Sequence, residues 1–422
     1  MSAPTLELVA GFEASQGTSY AFYDVTDYND GTTYAPDVIE HDITAYGREG
    51  AGLTVTRGVQ QVITTGFGAQ AGVLSVVLDN RDRRFDPNYF TGPYVEAGTS
   101  RVAPNVPIIL RTTYNAVDYD VFYGYADDWP QGYPAFGKDQ VVPLEATDAT
   151  QLFANTNVQI TRPAEQSGER IRAIIAAVGY EGPTSIGTGN ATISALTRGS
   201  VSAWSHMVDV ANTEWGDLYF SKSGVLTFRS RDQIFSQTRS VTSQATFGDS
   251  GTDLRYSGCE MASKPLYNRV VLTYSDRGLQ VTADNATSQR EHGMQVLNLT
   301  LPFALKAQAQ QYANWIVQRY ADYVVTFASI EIRPSRGNNV TSGANNLLPQ
   351  AFGRELGDRI TVKRTPLSGP ILSADVFIRG ITHSYQNAVW QSTKFTLQDA
   401  EWTTTLAHYN GNNYDDGSVY AL

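Results

Sequence analysis

The sequence has almost no cysteine: Cys259 stands alone in 422 residues. One thiol closes no intrachain disulfide and cannot build a four-cysteine or two-cysteine, two-histidine zinc site. Long apolar runs are missing too, since none approaches the roughly 18 residues that cross a bilayer as a helix. The first residues have no basic stretch leading into an apolar one, so no secretory signal is expected. Positive charge is short, with 31 Lys+Arg against 42 Asp+Glu and a formal net charge of −11. That opposes general binding to nucleic acid or to anionic lipid, because both need a basic footprint. Disorder is excluded by composition, 41% hydrophobic against 17% charged, since a disordered chain reverses that balance.

Catalytic motifs are equally scarce. The histidines His41, His206, His292, His383 and His408 are scattered, with no H-E-x-x-H spacing. There is no G-x-S-x-G elbow and no G-x-G-x-x-G after a strand. The segment Gly132 to Lys138 approaches a phosphate-binding loop but has Asp139 where the motif needs Ser or Thr. A strand rather than a helix is expected after it, so it reads as a turn. Asp79, Asn80, Asp82 and Asp86 could surround calcium, but no Gly sits at the sharp turn. They read instead as caps of backbone groups, with Arg81, Arg83 and Arg84 offsetting their charge. No metal and no cofactor is expected. Asp127-Asp128-Trp129 has the look of a sugar-facing cluster and equally of a loop beside a strand. Trp129, Tyr133 and Trp390 are the candidate carbohydrate-facing aromatics. In a β-rich chain such residues more often pack in a core or an interface.

What is abundant points to strands and turns: 24 Tyr, 36 Gly and 17 Pro, the first fitting pleated surfaces and the others punctuating them. A chain of this length divides into roughly two to four domains. Residues 1–36 form a strand-rich lead-in, with a strand-like piece at Ser19 to Tyr23 and a hairpin signal at Asn29-Asp30-Gly31. Residues 37–155 read as a first β-barrel domain. Its strands are Leu53–Thr56, Gly72–Leu78, Val106–Leu110, Tyr119–Tyr125 and Gln140–Glu145. Residues 156–330 are an α+β middle. Ile171, Ile174, Ile175 and Val178 share a helical face that ends at Gly179. Ser202 caps a second helix carrying Trp204, Met207, Val208 and Ala211. A ribbon across Lys222-Ser223-Gly224 follows, then a strand from Tyr267 to Tyr274. A third helix from Leu305 to Ala321 precedes a strand from Val324 to Ile332. Residues 331–402 read as a second β-barrel domain, with strands at Arg359–Val362, Val376–Thr382 and Thr393–Leu397. Residues 403–422 are a polar tail that frays or docks on a neighbour. The expected fold is therefore mainly β with α+β insertions: two small β-barrel domains separated by a helix-containing middle region.

The two β regions look related. Asp120-Val121-Phe122-Tyr123-Gly124 near the front matches Asp375-Val376-Phe377-Ile378-Arg379-Gly380 near the end, with the Gly one residue later in the second copy. Each is preceded by an apolar strand, Val106 to Leu110 or Arg359 to Val362. Each is followed by one ending in an acidic and Ala step, Val141 to Asp148 or Lys394 to Ala400. Three copies of a two-barrel chain would present six similar units, which lets a three-fold ring meet a six-fold tube.

The block Val76 to Pro87, V-V-L-D-N-R-D-R-R-F-D-P, with Gly92-Pro93-Tyr94 after it, resembles the signature of minor tail proteins from siphophages of actinobacteria. Val121 to Pro130, Leu144 to Ala149, Leu266 to Val270, Leu356 to Val362 and Phe377 to His383 keep that family's order. The resemblance runs from about Ile43 to Trp402. The chain departs at Arg83, where the family often has Gly. Gly224-Val225-Leu226-Thr227-Phe228 after a helix is similar to the ribbon of baseplate-hub proteins. The resemblance implies a homotrimeric, hub-like virion protein of the phage tail tip, without catalysis, assembled in the host cytoplasm. It also implies partners: the tail tube, the distal-tail and tape measure proteins, and a central fibre or spike. The competing readings are a hexameric distal-tail ring and a carbohydrate-binding adhesin or cell-wall hydrolase.

Overall fold

A computed structural model describes residues 3–12, 40–48, 50–59, 70–135, 137–197, 201–274, 278–334 and 346–400. The expected strand at Ser19 to Tyr23, the Asn29-Asp30-Gly31 turn and the 403–422 tail lie outside the described residues.

Fifteen strands join one sheet. Six of them form the first half, in chain order Thr5–Ala10, Leu53–Gly58, Val73–Asp79, Pro107–Tyr114, Val117–Asp128 and Asp139–Thr147. The first pairs the fourth, the fourth the fifth, the fifth the sixth, the sixth the third and the third the second. Thr246–Gly248, Gly258–Ser263, Val325–Ile332, Arg359–Arg364, Leu372–Gln386 and Val389–Asp399 form the second half. They pair in the same scheme, first to fourth through third to second. Only the leading strand differs, antiparallel in one half and parallel in the other. Two sets with one chain order and one pairing order are what an internal duplication leaves.

Three expectations change. First, a last domain spanning 331–402 leaves out three strands. Thr246–Gly248, Gly258–Ser263 and Val325–Ile332 lie within the expected middle, yet their backbone hydrogen bonds join the second half. Second, the two β units are not separate sheets. Leu53–Gly58 pairs with Gly380–Tyr385, so the two halves share one ladder. Third, the D-V-F match is out of structural register. Pro107 and Thr147 lie opposite Tyr125, while Arg359 and Gln398 lie opposite Phe377. Tyr125 therefore corresponds to Phe377, and Ala126-Asp127 to Ile378-Arg379. In both copies the residue after that step, Asp127 or Arg379, is skipped by the facing strand as a bulge.

Two helix-bearing insertions stand apart from these strands, the first between the two halves and the second within the second half. The first holds the helices Ser167–Val178 and Ala203–Glu214 and the ribbon Asp217–Phe220 with Leu226–Arg229. Ser202 caps its helix by accepting from the Ser205 N–H, and Gly179 ends the other at φ 73. Gly224 turns the ribbon at φ 84 against Tyr123, whose Cδ1 would stand 2.7 Å from an added Cβ. The second insertion packs the helix Lys306–Tyr320 on Arg269–Tyr274 and Leu279–Asp284, strands of a sheet that Val296–Leu301 completes. The two insertions share one apolar cluster, which also takes Tyr125 and Phe377 from the equivalent points of the two halves. A second cluster runs under both halves, from Leu8 and Val55 to Ile381 and Trp390.

The hairpin turns Asn115-Ala116 and Asn387-Ala388 hold both residues at positive φ, with the alanines at 59° and 58°. An alanine there opposes its own Cβ, whereas Gly does not. Ala116→Gly and Ala388→Gly are each expected to stabilise the chain by about 0.5–1 kcal/mol, seen as a higher urea midpoint; a lower midpoint would contradict the turn geometry.

Candidate functional site

The place where both halves and the first insertion meet is built around the Arg379 bulge. Gly58 and Gly380 face each other there. An added Cβ on Gly58 would land on the Arg379 carbonyl oxygen, and one on Gly380 on the Val59 carbonyl oxygen. Gly58 also has φ 74, a left-handed value that disfavours side chains,. The Arg379 carbonyl accepts from the Val59 N–H at 2.9 Å, which ties the first half to the bulge. A bulge turns one side chain out of the alternation. Here the Arg379 guanidinium reaches Asp217 Oδ1 of the insertion ribbon at 2.5 Å and Gln398 at 2.7 Å.

A buried seam of charge continues from it. Asp217 Oδ2 takes Arg229 at 3.3 Å, and Arg229 also bonds Ser240 and the Gly357 carbonyl. Arg239 donates to Asp358 at 2.9 Å and to the Leu356 carbonyl at 2.7 Å. Glu355 accepts from Arg57 at 2.5 Å and from the Lys222 N–H at 3.1 Å. Burial alone would raise the Glu355 carboxyl, but Arg57 and Lys222 hold it below its ordinary range. Burial pulls the Lys222 ammonium down, and it donates to the Phe352 carbonyl at 2.5 Å. The short helix Leu348–Gly353 beside the seam bridges the halves. Its Phe352 ring meets Tyr119 at 5.8 Å on one side and Trp390 at 5.1 Å on the other.

This arrangement joins three units. Its signal in the sequence was Leu356 to Val362, noted there as a tail-protein segment; its charge partners are remote in the chain and carry no local pattern. The three candidate aromatics do not meet. Trp129 is 2% exposed, stacks on Phe85 at 5.7 Å and donates to the Ala103 carbonyl at 2.8 Å. Trp390 is fully buried against Phe352, His383 and Tyr385. Each fills the core of its own half. Tyr133 stands apart, exposed on Gly132–Ala135. Asp127 and Asp128 end a strand rather than form a loop; Asp127 accepts from Thr147 and Asp128 from the Trp129 N–H.

The Asp79 to Asp86 block caps backbone groups. Asn80 Oδ1 accepts from the Phe85 N–H at 2.9 Å, and Asp86 accepts from Arg83 and the Asn88 N–H. Gln131 takes the Asn80 amide and donates to the Phe85 and Trp129 carbonyls, pinning the loop to the hairpin. Arg83 keeps the left-handed turn expected of Gly, at φ 62. Among the described residues no group of His, Cys, Asp and Glu is placed to hold a metal. A cavity of about 200 Å³ lies beside Asp148, lined by Asn105, Tyr125 and Gln151.

No protein-family model matches the chain, and no curated protein matches it. Solved structures do. A tail protein from Neisseria meningitidis superposes with a TM-score of 0.58 at 10% identity, over 95% of this chain and 98% of that one. The chain has the fold of that tail protein. The 43 kDa tail protein of prophage MuSo2 from Shewanella oneidensis gives 0.50 at 10% identity, over 86% and 96%. At such identity fold alone is shared, and it is the mainly β fold with its α+β insertions.

Removing the Asp217 carboxylate would take from the Arg229 and Arg379 guanidinium groups the anion they share. Asp217→Ala is expected to cost about 3–5 kcal/mol, and clearly more than a surface substitution such as Asp322→Ala; equal urea midpoints would contradict the seam. Burial, with Arg57 and Lys222 nearby, pushes His383 down to about 3. Its folded value lies below its unfolded one, so this stability is present above about pH 6.5 and is lost as pH falls through the window down to about 3. The advantage of wild type over His383→Gln in denaturant should shrink with falling pH across that window; a constant difference would contradict a buried neutral imidazole.

Proposed function

We propose that the chain is a structural component of a phage tail tip, a hub-like homotrimer that joins a six-fold tail tube and distal-tail ring to a three-fold fibre or spike. The observation that carries this reading is the duplicated six-strand scheme within one chain. Three copies supply six near-equivalent units to the tube and remain three-fold below. The likeness to two tail proteins in fold, over nearly the whole of each chain, supports a role in a tail. The reading assigns the protein to the virion and gives it no catalytic step. The junction seam fits the task, because a ring that passes force needs its halves and insertions to move as one body. Tape measure, distal-tail and fibre or spike proteins are its proposed neighbours.

The test is the mass of the purified protein by light scattering at several concentrations. Three times 46.2 kDa is expected. Six times that unit would favour a distal-tail ring, and a concentration-independent monomer would contradict the trimer.

A further inference from the structure

In the first half the edge strand Leu53–Gly58 is covered by Gly380–Tyr385 of the second half. Its inward residues Leu53, Val55 and Arg57 are at most 3% exposed as a result. The equivalent strand of the second half is Gly258–Ser263, since Thr54 lies opposite Ser75 as Glu260 lies opposite Ser329. Among the described residues this strand pairs only with Val325–Ile332. Among the described residues its far edge is uncovered, and Met261, beside the buried Phe327, is 39% exposed. Val324 and Val325 at the end of the same ribbon are 41% and 47% exposed. An open, partly apolar strand edge is a template for another strand.

The first half carries the counterpart. The covering segment Gly380–Tyr385 follows the Arg379 bulge, and its Ser384 lies opposite Ser392. After the equivalent Asp127 bulge, the chain reaches Gly132–Ala135, where Gly132 lies opposite Val141. Val141 stands four residues before Glu145, as Ser392 stands four before Thr396, so Gly132 corresponds to Ser384. Gly132–Ala135 pairs only with Asp139–Thr147 among the described residues, and Tyr133 is 67% exposed.

We propose that Gly258–Ser263 of one copy pairs antiparallel with Gly132–Ala135 of a second copy, repeating between chains the contact that joins the halves within one. The internal contact sets the register. Thr54 faces Ser384 and Leu53 faces Tyr385, so Glu260 faces Gly132, and Cys259 faces Tyr133 of the next copy. Each chain has one such edge and one such arm, so the contact is head to tail, and the three-fold rotation of the proposed trimer closes it into a ring. This rests on the trimer reading and names its interface.

Facing residues of an antiparallel pair stand about 4.5–5.5 Å apart at Cα, within disulfide reach. Tyr133→Cys places a second thiol opposite Cys259, the one natural cysteine. Under a diamide oxidant the two thiols form an S–S bond, and two electrons and two protons pass to the diamide. The expected result is a ladder up to covalent trimer on a non-reducing gel, absent in Tyr133→Cys with Cys259→Ser and in wild type. Met261→Lys, a charge on the open edge, is expected to shift light scattering to monomer while circular dichroism stays native. A trimer by scattering with no cross-link and no effect of Met261→Lys would overturn the edge pairing alone. A wild-type monomer without a cross-link would overturn both the pairing and the trimer.

Discussion

The whole architecture hangs on one close crossing of backbones. Leu372–Gln386 spends its first part bonded to Arg359–Arg364 and its last part bonded to Leu53–Gly58. The change of partner happens within a few residues, at a bulge, between two glycines facing each other. Side chains on either glycine would force the strands apart. Without that crossing the two halves would be separate sheets, each with an exposed edge. Edges of that kind are what β proteins must cover or blunt.

The crossing also explains why charge is buried beside it. A bulge turns one side chain out of the alternation, and here that side chain is an arginine,. Its guanidinium finds Asp217 on the insertion, and Asp217 holds Arg229 on the facing strand of the same ribbon. Buried ion pairs of this kind give little net stability against apolar residues of the same shape, but breaking one partner is costly. Their geometry fixes where the insertion sits relative to the two halves. The equivalent bulge of the first half carries Asp127, which bonds the adjacent Thr147 and stays local. The two halves share a scheme and differ in what their bulges hold.

Much of this was legible in the sequence. The helix faces of Ile171 to Val178 and Ala309 to Tyr320, the Ser202 cap and the 217–229 ribbon follow from periodicity and turn chemistry acting locally. Duplication was visible as a likeness of strands, but D-V-F was a misleading anchor. Period-two alternation repeats every second residue, so a short strand matches another in several registers, and only the pairing partners choose between them. The strands before 331 that pair with the second half were hidden for a related reason. Thr246–Gly248 and Gly258–Ser263 are short strands whose partners in the second half lie about 60 to 115 residues away, and no local signal reports such pairing. Trp129 and Trp390 could not be told from surface aromatics, because each sits beside polar residues in the chain and is buried by remote ones. The charge seam draws on Arg57, Asp217, Glu355 and Arg379, whose meeting is wholly tertiary.

Amide hydrogen exchange tests most directly the claim that the two halves are one body locked at this crossing. The amides of Leu53–Gly58 and Gly380–Tyr385 should be among the slowest in the chain and should exchange together with those of the Arg359–Arg364 and Leu372–Phe377 hairpin, at the rate of global unfolding. Exchange of Leu53–Gly58 well ahead of that hairpin would show that the halves open separately, and would contradict the account.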